Sequence, residues 1–146
     1  MGKVRLPESG SVYVDTQVLI YSVEKHPIYA PMLRPLWTAV EEQRIEAHSS
    51  ELVLLETLVL PIRNHDVRLI SDYNELFVQS GIQLHPVTRE ILLGAAHLRA
   101  AATCIRTPDA LHAATARLMH CDVFLTNDTA LRQLPGVSSL LLSDIE

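Results

Sequence analysis

The sequence predicts a single α/β domain with a central, mostly parallel β-sheet flanked by α-helices on both sides. Short apolar segments alternate along the chain with longer segments of helical periodicity, which is typical of parallel strands joined by helices. The 146 residues are 48% hydrophobic, which is enough for one buried core. The sequence contains no repeat and no Gly- or Ser-rich linker, so we expect one domain.

The expected strands are short and apolar. They cover residues 12–14, 45–48, 82–84, 123–126 and 139–142. The first is the run Val12-Tyr13-Val14, which ends at Asp15, where helical periodicity begins. Residues 45–48 have the weakest strand signal. We expect residues 1–10 to form an N-terminal tail and residues 11–146 to form the domain.

The expected helices begin and end at recognisable capping signals. They cover residues 17–24, 30–44, 51–63, 65–80, 89–104, 107–120 and 128–133. The residues expected to accept a backbone N–H of the first turn as N-caps are Ser49 or Ser50, Asn64, Thr88 and Thr107. Gly81 is expected to end the fourth helix, and Pro108 suits the first turn of the sixth.

The sequence does not favour a membrane protein, a secreted protein or a thiolate metal site. No apolar run reaches the roughly 18 to 20 residues that a membrane helix needs. Residues 1–7 lack the apolar stretch of a signal peptide, so we expect a cytoplasmic protein. Cys104 and Cys121 have no second Cys or His at the spacing of a zinc site.

The charge balance is mildly acidic, with 17 acidic against 12 basic side chains and a net charge of −5. Proteins that bind nucleic acid usually present a basic surface instead. If four carboxylates surround divalent cations, however, the remaining 13 acids are nearly balanced by the 12 bases. Ten of these bases are arginines, which bind phosphate through two parallel hydrogen bonds. The acidic total therefore does not exclude a nucleic-acid substrate.

Two candidate acids, Asp15 and Asp128, follow predicted strands and so lie where a parallel sheet usually binds its ligands. Asp15, Asp109 and Asp128 each follow a predicted strand or begin a predicted helix, with Asp109 expected at the second helical position. Each could serve only as a helix N-cap or complement the helix dipole. The carboxyl ends of parallel strands form a common edge, however, and this favours one shared site. Hard divalent cations such as Mg²⁺ or Mn²⁺ suit clustered carboxylates.

Glu56 lies in residues 52–60, a helical segment with apolar residues on nearly every side. A buried carboxylate needs a partner, because its removal from water is costly. Two alternatives remain open: an ion pair with a buried arginine, or a position facing the other three acids. In the second case, loss of the Glu56 charge would relieve repulsion and keep or raise the stability of the metal-free protein.

Four segments resemble, in order, the signature segments of PIN domains, and most of all those of VapC-like toxin ribonucleases. They are residues 12–16 (VYVDT), 50–56 (SELVLLE), 107–116 (TPDALHAATA) and 124–128 (FLTND). The likeness extends from about residue 11 to residue 142. The four acids follow one another at intervals of 41, 53 and 19 residues, which is similar to the spacing in the family.

The resemblance implies a PIN-like fold and a metal-dependent ribonuclease that hydrolyses RNA phosphodiester bonds. The implied catalytic and metal-binding residues are Asp15, Glu56, Asp109 and Asp128, supported by a hydrogen bond from Thr126. Mg²⁺ is the implied metal, with Mn²⁺ as an alternative. The likeness to VapC-like toxins further implies a homodimer and a small antitoxin partner that blocks the acidic cleft by inserting an arginine.

Two other functions fit parts of the pattern. A PIN module without catalytic activity, which binds RNA or a protein partner, would have the same fold. A haloacid-dehalogenase-like phosphatase would use Asp15 as its nucleophile. That chemistry needs a second Asp two residues later, where this chain has Gln17, so the pattern argues against a phosphatase.

Histidine and aromatic side chains are weaker candidates than the acids. His112 follows Asp109 by three residues on the same helical face and could act as a general base. We expect a neutral core or rim histidine instead, because metal-activated water makes a side-chain base unnecessary. Among the seven aromatic residues, which could stack on nucleobases, all but Tyr29 lie in apolar stretches expected to form the core or a dimer contact.

Overall fold

The computed structural model of the chain describes residues 4–145 and contains one sheet of five parallel strands. These are β1 (Gly10–Val14), β2 (Ile45–Ser50), β3 (Gln83–His85), β4 (Val123–Thr126) and β5 (Ser139–Leu141). Their order across the sheet is β3-β2-β1-β4-β5, and every neighbouring pair is parallel. The predicted α/β fold is confirmed.

Six α-helices flank the sheet. They are α1 (Thr16–Val23), α2 (Tyr29–Glu41), α3 (Leu52–Arg63), α4 (Val67–Gln79), α5 (Arg89–Ala101) and α6 (Thr107–Leu118). Two short 3₁₀ helices, Thr129–Leu131 and Leu142–Asp144, follow β4 and β5. Within residues 4–145, no helix has the length and apolar character needed to cross a membrane.

The helices cover both faces of the sheet because alternate residues of each strand point to opposite faces. On one face, Val12 and Val14 of β1 pack with buried residues of α1 and α2. On the other face, Tyr13 and Phe124 stack with their ring centroids 5.1 Å apart and pack with α5 and α6. Because helices cover both faces, a cleft can form at the carboxyl edge of the strands.

Three of the four predicted N-caps are wrong, those of α3, α4 and α6. Asp66, not Asn64, caps α4, and its carboxylate accepts the N–H of Leu69 at 3.1 Å. Asn64 instead ends α3. Thr107 is the first residue of α6 rather than its cap. Thr88 caps α5 as predicted.

Strand β2 is longer than predicted and uses both serines that could have capped α3. The Ser49 hydroxyl donates to the carbonyl of Val14 at 2.7 Å, and this bond ties β2 to β1. The Ser50 hydroxyl accepts the N–H of Leu52 at 3.1 Å, but the residue that immediately precedes α3 is Glu51. The strand therefore extends to the start of the helix that carries Glu56.

The segment before β1 contacts the domain. Val4 pairs with Ile145 in an isolated parallel bridge, and Leu6 packs against the core. Residues 1–3 of the predicted tail lie outside the described residues. The division into a tail of residues 1–10 and a domain of residues 11–146 stays a prediction.

Candidate active site

The four candidate acids line one open cleft of about 600 Å³ at the carboxyl edge of the sheet. Asp15 follows β1, Asp128 follows β4, and α3 with Glu56 follows β2 directly. Asp109 reaches the same edge because α6 precedes β4 and runs back along the sheet, with its first turn near the carboxyl ends of the strands. The topology thus collects acids that are far apart in the chain.

Asp15 is only 9% exposed, and both of its carboxylate oxygens accept hydrogen bonds. Oδ1 accepts the N–H of Thr16 at 2.8 Å, and Oδ2 accepts the hydroxyl of Thr126 at 2.7 Å. Burial raises the pKa of Asp15 above its usual 3.8, and this outweighs the opposite effects of His112 and of the two hydrogen bonds. Asp15 is therefore both the N-cap of α1 and a buried carboxylate whose ionised form a nearby cation would stabilise.

Thr126 connects two of the acids. Its buried hydroxyl donates to Asp15 and accepts the N–H of Asp128 at 3.1 Å. A valine would have the same shape but would leave a buried oxygen of Asp15 without its donor.

Glu56 is not surrounded by buried apolar side chains, although the sequence of α3 predicts this. The outer face of α3 is exposed, with Leu55 and Leu60 exposed by 62% and 59%. The side chain of Glu56 is 28% exposed. Oε1 accepts the hydroxyl of Thr16 at 2.9 Å and lies 2.7 Å from Nε2 of His112. Within residues 4–145, Glu56 forms no ion pair with an arginine. It faces the cleft and a histidine instead.

His112 is a buried histidine, as expected, and it also contacts acids of the site, which the sequence does not predict. The ring is 1% exposed, with Nδ1 2.6 Å from the Tyr13 hydroxyl and Nε2 2.7 Å from Glu56 and 4.0 Å from Asp15. In either protonation state Nε2–H can donate to Glu56, while Nδ1 and the Tyr13 hydroxyl share the second hydrogen bond. The signal in the sequence is the three-residue spacing after Asp109, but the Tyr13 partner lies 99 residues away.

The pKa of Glu56 is lowered by its contacts with His112 and Thr16 more than it is raised by burial. Burial raises the pKa of this carboxyl, whereas the hydrogen bond from His112, the charge of His112 and the hydrogen bond from Thr16 lower it. The net pKa lies below the usual 4.5. Glu56 is therefore ionised at neutral pH and is oriented by two neighbours.

Asp109 and Asp128 each use one carboxylate oxygen at a helix start. Asp109 accepts the N–H of Arg106 at 3.1 Å. The sequence predicts Asp109 at the second helical position, but it is the third residue of α6 because the helix begins at Thr107. Asp128 accepts the N–H of Ala130 at 2.9 Å. The second oxygen of each carboxylate makes no hydrogen bond with residues 4–145 and is available in the cleft.

The donor types in this cleft suit a hard divalent cation, which would also neutralise the buried charge of Asp15. The side chains do not yet form a coordination shell: in the part of the chain that is described, no three His, Cys, Asp or Glu side chains are grouped around a single point. Carboxylates repel one another when no cation lies between them. We expect the half-buried Asp109 and Asp128 to turn when an ion binds.

Comparisons with known proteins agree with the fold. The family model for the PIN domain matches residues 12–137. Similar solved structures include chains of Rickettsia felis VapBC2 bound to a DNA fragment from its promoter, of DNA-bound Salmonella typhimurium VapBC, and of Neisseria gonorrhoeae FitAcB. Their identities are 16%, 17% and 17%, and their TM-scores are 0.71, 0.63 and 0.65. The alignments cover 90%, 89% and 88% of this chain and 98%, 96% and 96% of those chains. No curated protein matches the sequence significantly.

Proposed function

Because this chain belongs to the PIN-domain family, we propose that it is a metal-dependent ribonuclease that hydrolyses RNA phosphodiester bonds. PIN domains are nuclease domains that generally use divalent metal ions. The observation that carries the proposal for this chain is the convergence of its four acids, Asp15, Glu56, Asp109 and Asp128, on one cleft. Independent helix caps would not need to share a cleft.

The proposed metal is Mg²⁺, with Mn²⁺ as an alternative, and the proposed ligands are the four acids of the cleft. A bound ion lowers the pKa of a coordinated water and stabilises negative charge on the leaving oxygen. The protein contributes orientation. Thr16 contacts two acids at once, because its N–H donates to Asp15 and its hydroxyl donates to Glu56. Two carboxylates are thereby held side by side before substrate binds.

We expect cleavage to require the metal. The purified chain should cut single-stranded RNA in Mg²⁺ or Mn²⁺, lose this activity in EDTA and regain it when Mg²⁺ is added in excess, because carboxylates alone supply no Lewis acid. Undiminished cleavage after exhaustive dialysis against EDTA would contradict the mechanism. RNA binding without cleavage in either metal would favour the non-catalytic PIN module.

The proposed biological role is that of a toxin in a VapBC-type toxin–antitoxin pair in the cytoplasm. Its support is the fold shared with chains of VapBC complexes and the intact set of acids. The proposed partner is a small antitoxin that covers the acidic cleft with an arginine. Expression of the chain alone in a bacterial host tests this role, and unchanged growth without new RNA 5′ ends would argue against it.

A homodimer is proposed on the exposed face of α3. Leu55, Val59 and Ile62 follow one another at helical spacing and are exposed by 62%, 42% and 57%, and exposed apolar residues that cluster on a monomer often mark a protein contact. We expect Leu55→Glu to convert dimers to monomers in sedimentation equilibrium. Val78→Glu, on the 80% exposed Val78 of α4, is the matched control. A wild-type chain that sediments as a monomer would contradict the dimer.

A further inference from the structure

Arg106 is the one basic residue among those that line the acidic cleft. It immediately precedes α6, and its side chain is exposed. Its guanidinium forms no ion pair and no hydrogen bond with any residue from 4 to 145, although four acids line the same cleft. Elsewhere on the surface, Arg44 pairs with Glu42 and Arg132 pairs with Asp144. An arginine that stays unpaired beside carboxylates is available for a ligand.

The positive charge of Arg106 favours a negatively charged ligand in the cleft. The four carboxylates carry four negative charges, which divalent cations balance when the site is loaded. Arg106 is then the surplus positive charge, and a phosphodiester carries one negative charge. The planar guanidinium matches a phosphate group through two parallel hydrogen bonds. The cleft is therefore suited to a phosphate next to the one that is cut.

The opposite wall of the cleft carries an aromatic side chain. Tyr21 lies on α1, which packs on one face of the sheet, whereas α6 packs on the other. The Tyr21 ring stacks on Tyr29 with centroids 4.8 Å apart, and Tyr29 also stacks on His26 at 4.8 Å. Tyr21 and Arg106 thus lie on different walls of the same cleft.

The Tyr21 ring is also held at its outer end. Its hydroxyl accepts a hydrogen bond from Asn127 Nδ2 at 3.2 Å, and Asn127 Oδ1 accepts the N–H of Ser143 at 3.0 Å. Tyr21 follows Asp15 by six residues, which corresponds to about 9 Å along a helix. Because the ring is already held by a hydrogen bond and a stacking contact, it loses little further conformational freedom when a base packs against it.

We infer that the cleft contains a nucleotide subsite, in which Arg106 binds an RNA phosphate adjacent to the scissile one and Tyr21 packs against a base. This subsite rests on the proposed ribonuclease function. Its substrate is single-stranded RNA, because a base inside a duplex is already stacked and cannot contact Tyr21. Stacking accepts any base, so the subsite contributes affinity and register rather than a sequence code.

Arg106 is tested by steady-state kinetics on a short single-stranded RNA. We expect Arg106→Ala to raise KM about tenfold and to change kcat by less than about threefold, since a phosphate contact away from the reacting atoms mainly supports binding. Arg106→Lys should recover part of the loss. The control is Arg99→Ala, because the guanidinium of Arg99 is also exposed but bonds to Thr107 outside the cleft lining.

RNA binding gives a readout that does not depend on cleavage. In the Asp15→Asn background, the dissociation constant for labelled RNA is measured at several salt concentrations. The slope of its logarithm against the logarithm of the salt concentration should fall by about one for Arg106→Ala, because one phosphate contact is lost. An unchanged slope, or equal effects of Arg106→Ala and Arg99→Ala, would overturn the assignment of Arg106.

Tyr21 is tested with RNAs that each lack one base. For the wild-type protein, loss of the base at one position of the RNA should weaken binding about tenfold. Tyr21→Phe should show the same sensitivity because it keeps the aromatic ring. Tyr21→Leu should bind intact RNA about tenfold more weakly and should not distinguish that abasic RNA. Equal abasic sensitivity in Tyr21→Leu and wild type would overturn the base contact. A wild-type chain that neither binds nor cuts RNA would instead refute the proposed function itself.

Discussion

Replacing Asp15 with asparagine is expected to reduce RNA cleavage at least about a hundredfold while the protein stays folded. Loss of a group that only orients a metal ligand commonly costs 10–100-fold, so loss of a proposed ligand should reach at least the upper end of that range. Asp15 is also the most buried of the four acids, with 9% exposure, and its charge is the hardest for solvent to replace.

The stability of Asp15→Asn without metal depends on two opposing effects. The asparagine amide oxygen can still accept the N–H of Thr16, so the helix cap is preserved. The hydroxyl of Thr126 loses its acceptor, which destabilises the variant. The fold raises the pKa of Asp15, mainly through burial, so ionisation of Asp15 destabilises the wild type as pH rises above 3.8. Asp15→Asn does not lose stability in this way, because asparagine does not ionise.

We therefore expect the melting temperatures of the two proteins in EDTA to differ by only a few degrees at neutral pH. The difference should shift in favour of Asp15→Asn as pH rises from about 4 to 7, because only the wild type loses stability by ionising at this position. Asp66→Asn is the matched control, since Asp66 caps α4 outside the cleft. A folded Asp15→Asn that cleaves at the wild-type rate would remove Asp15 from the site.

The position of Asp15 shows which part of the site the sequence predicts. A buried apolar run that ends in an acid and continues as a helix places the acid at the carboxyl end of a strand. Parallel strands share this edge, so Asp15 and Asp128 are expected at the same edge of the sheet, whereas their distance depends on the strand order. In the structure, β1 and β4 are adjacent in the sheet and Thr126 bridges the two acids.

Helix α3 shows why other features are not predictable. Its residues are apolar on nearly every side, which is the pattern of a buried helix, yet Leu55 and Leu60 are exposed in the single chain. Periodicity reports which side chains avoid water but not whether the domain itself or another molecule covers them. The ion pair of Glu56 with a buried arginine was an alternative only because the helix was expected to be buried.

Local rules also fail where two neighbouring residues can serve the same purpose. Asn64 and Asp66 are both good N-cap residues, and the choice of Asp66 depends on how the chain leaves α3. His112 poses a related problem over a longer distance. Its spacing from Asp109 places it on the correct helical face, but only the packing of β1 against α6 brings Tyr13 to its Nδ1.

Replacing Glu56 with glutamine is the second change expected to have a large effect. The sequence alone predicts that this change keeps or raises the stability of the metal-free protein, whereas the contacts of Glu56 in the structure predict a loss. If Glu56 faced only other acids, loss of its charge would stabilise the metal-free protein. Its Oε1 instead accepts hydrogen bonds from Thr16 and His112, and the net pKa is lowered below 4.5. An acid with a lowered pKa stabilises the fold when ionised, and this contribution is present at neutral pH and disappears on acidification through the lowered pKa.

Glu56→Gln should therefore lose about 1 kcal/mol of unfolding free energy in EDTA at pH 7, the difference between a charged and a neutral hydrogen-bond acceptor. It should also lose at least about a hundredfold in cleavage, as expected for a proposed metal ligand. The loss of stability should be smaller at about pH 3 than at about pH 7, because acidification moves the wild-type carboxyl towards its protonated form, and the charge-dependent contribution disappears as the pH falls through the lowered pKa. The measurement is urea unfolding with and without Mg²⁺ at both pH values, together with the cleavage assay.

The control for this experiment separates the hydrogen bonds of Glu56 from its charge. Tyr13→Phe removes the other hydrogen bond of the His112 ring but leaves Glu56 charged, so it should lower stability while retaining more cleavage than Glu56→Gln. A loss of about 3 to 5 kcal/mol in Glu56→Gln with cleavage retained would indicate a structural ion pair instead. That outcome would make Glu56 a structural residue and reduce the proposed metal site to Asp15, Asp109 and Asp128.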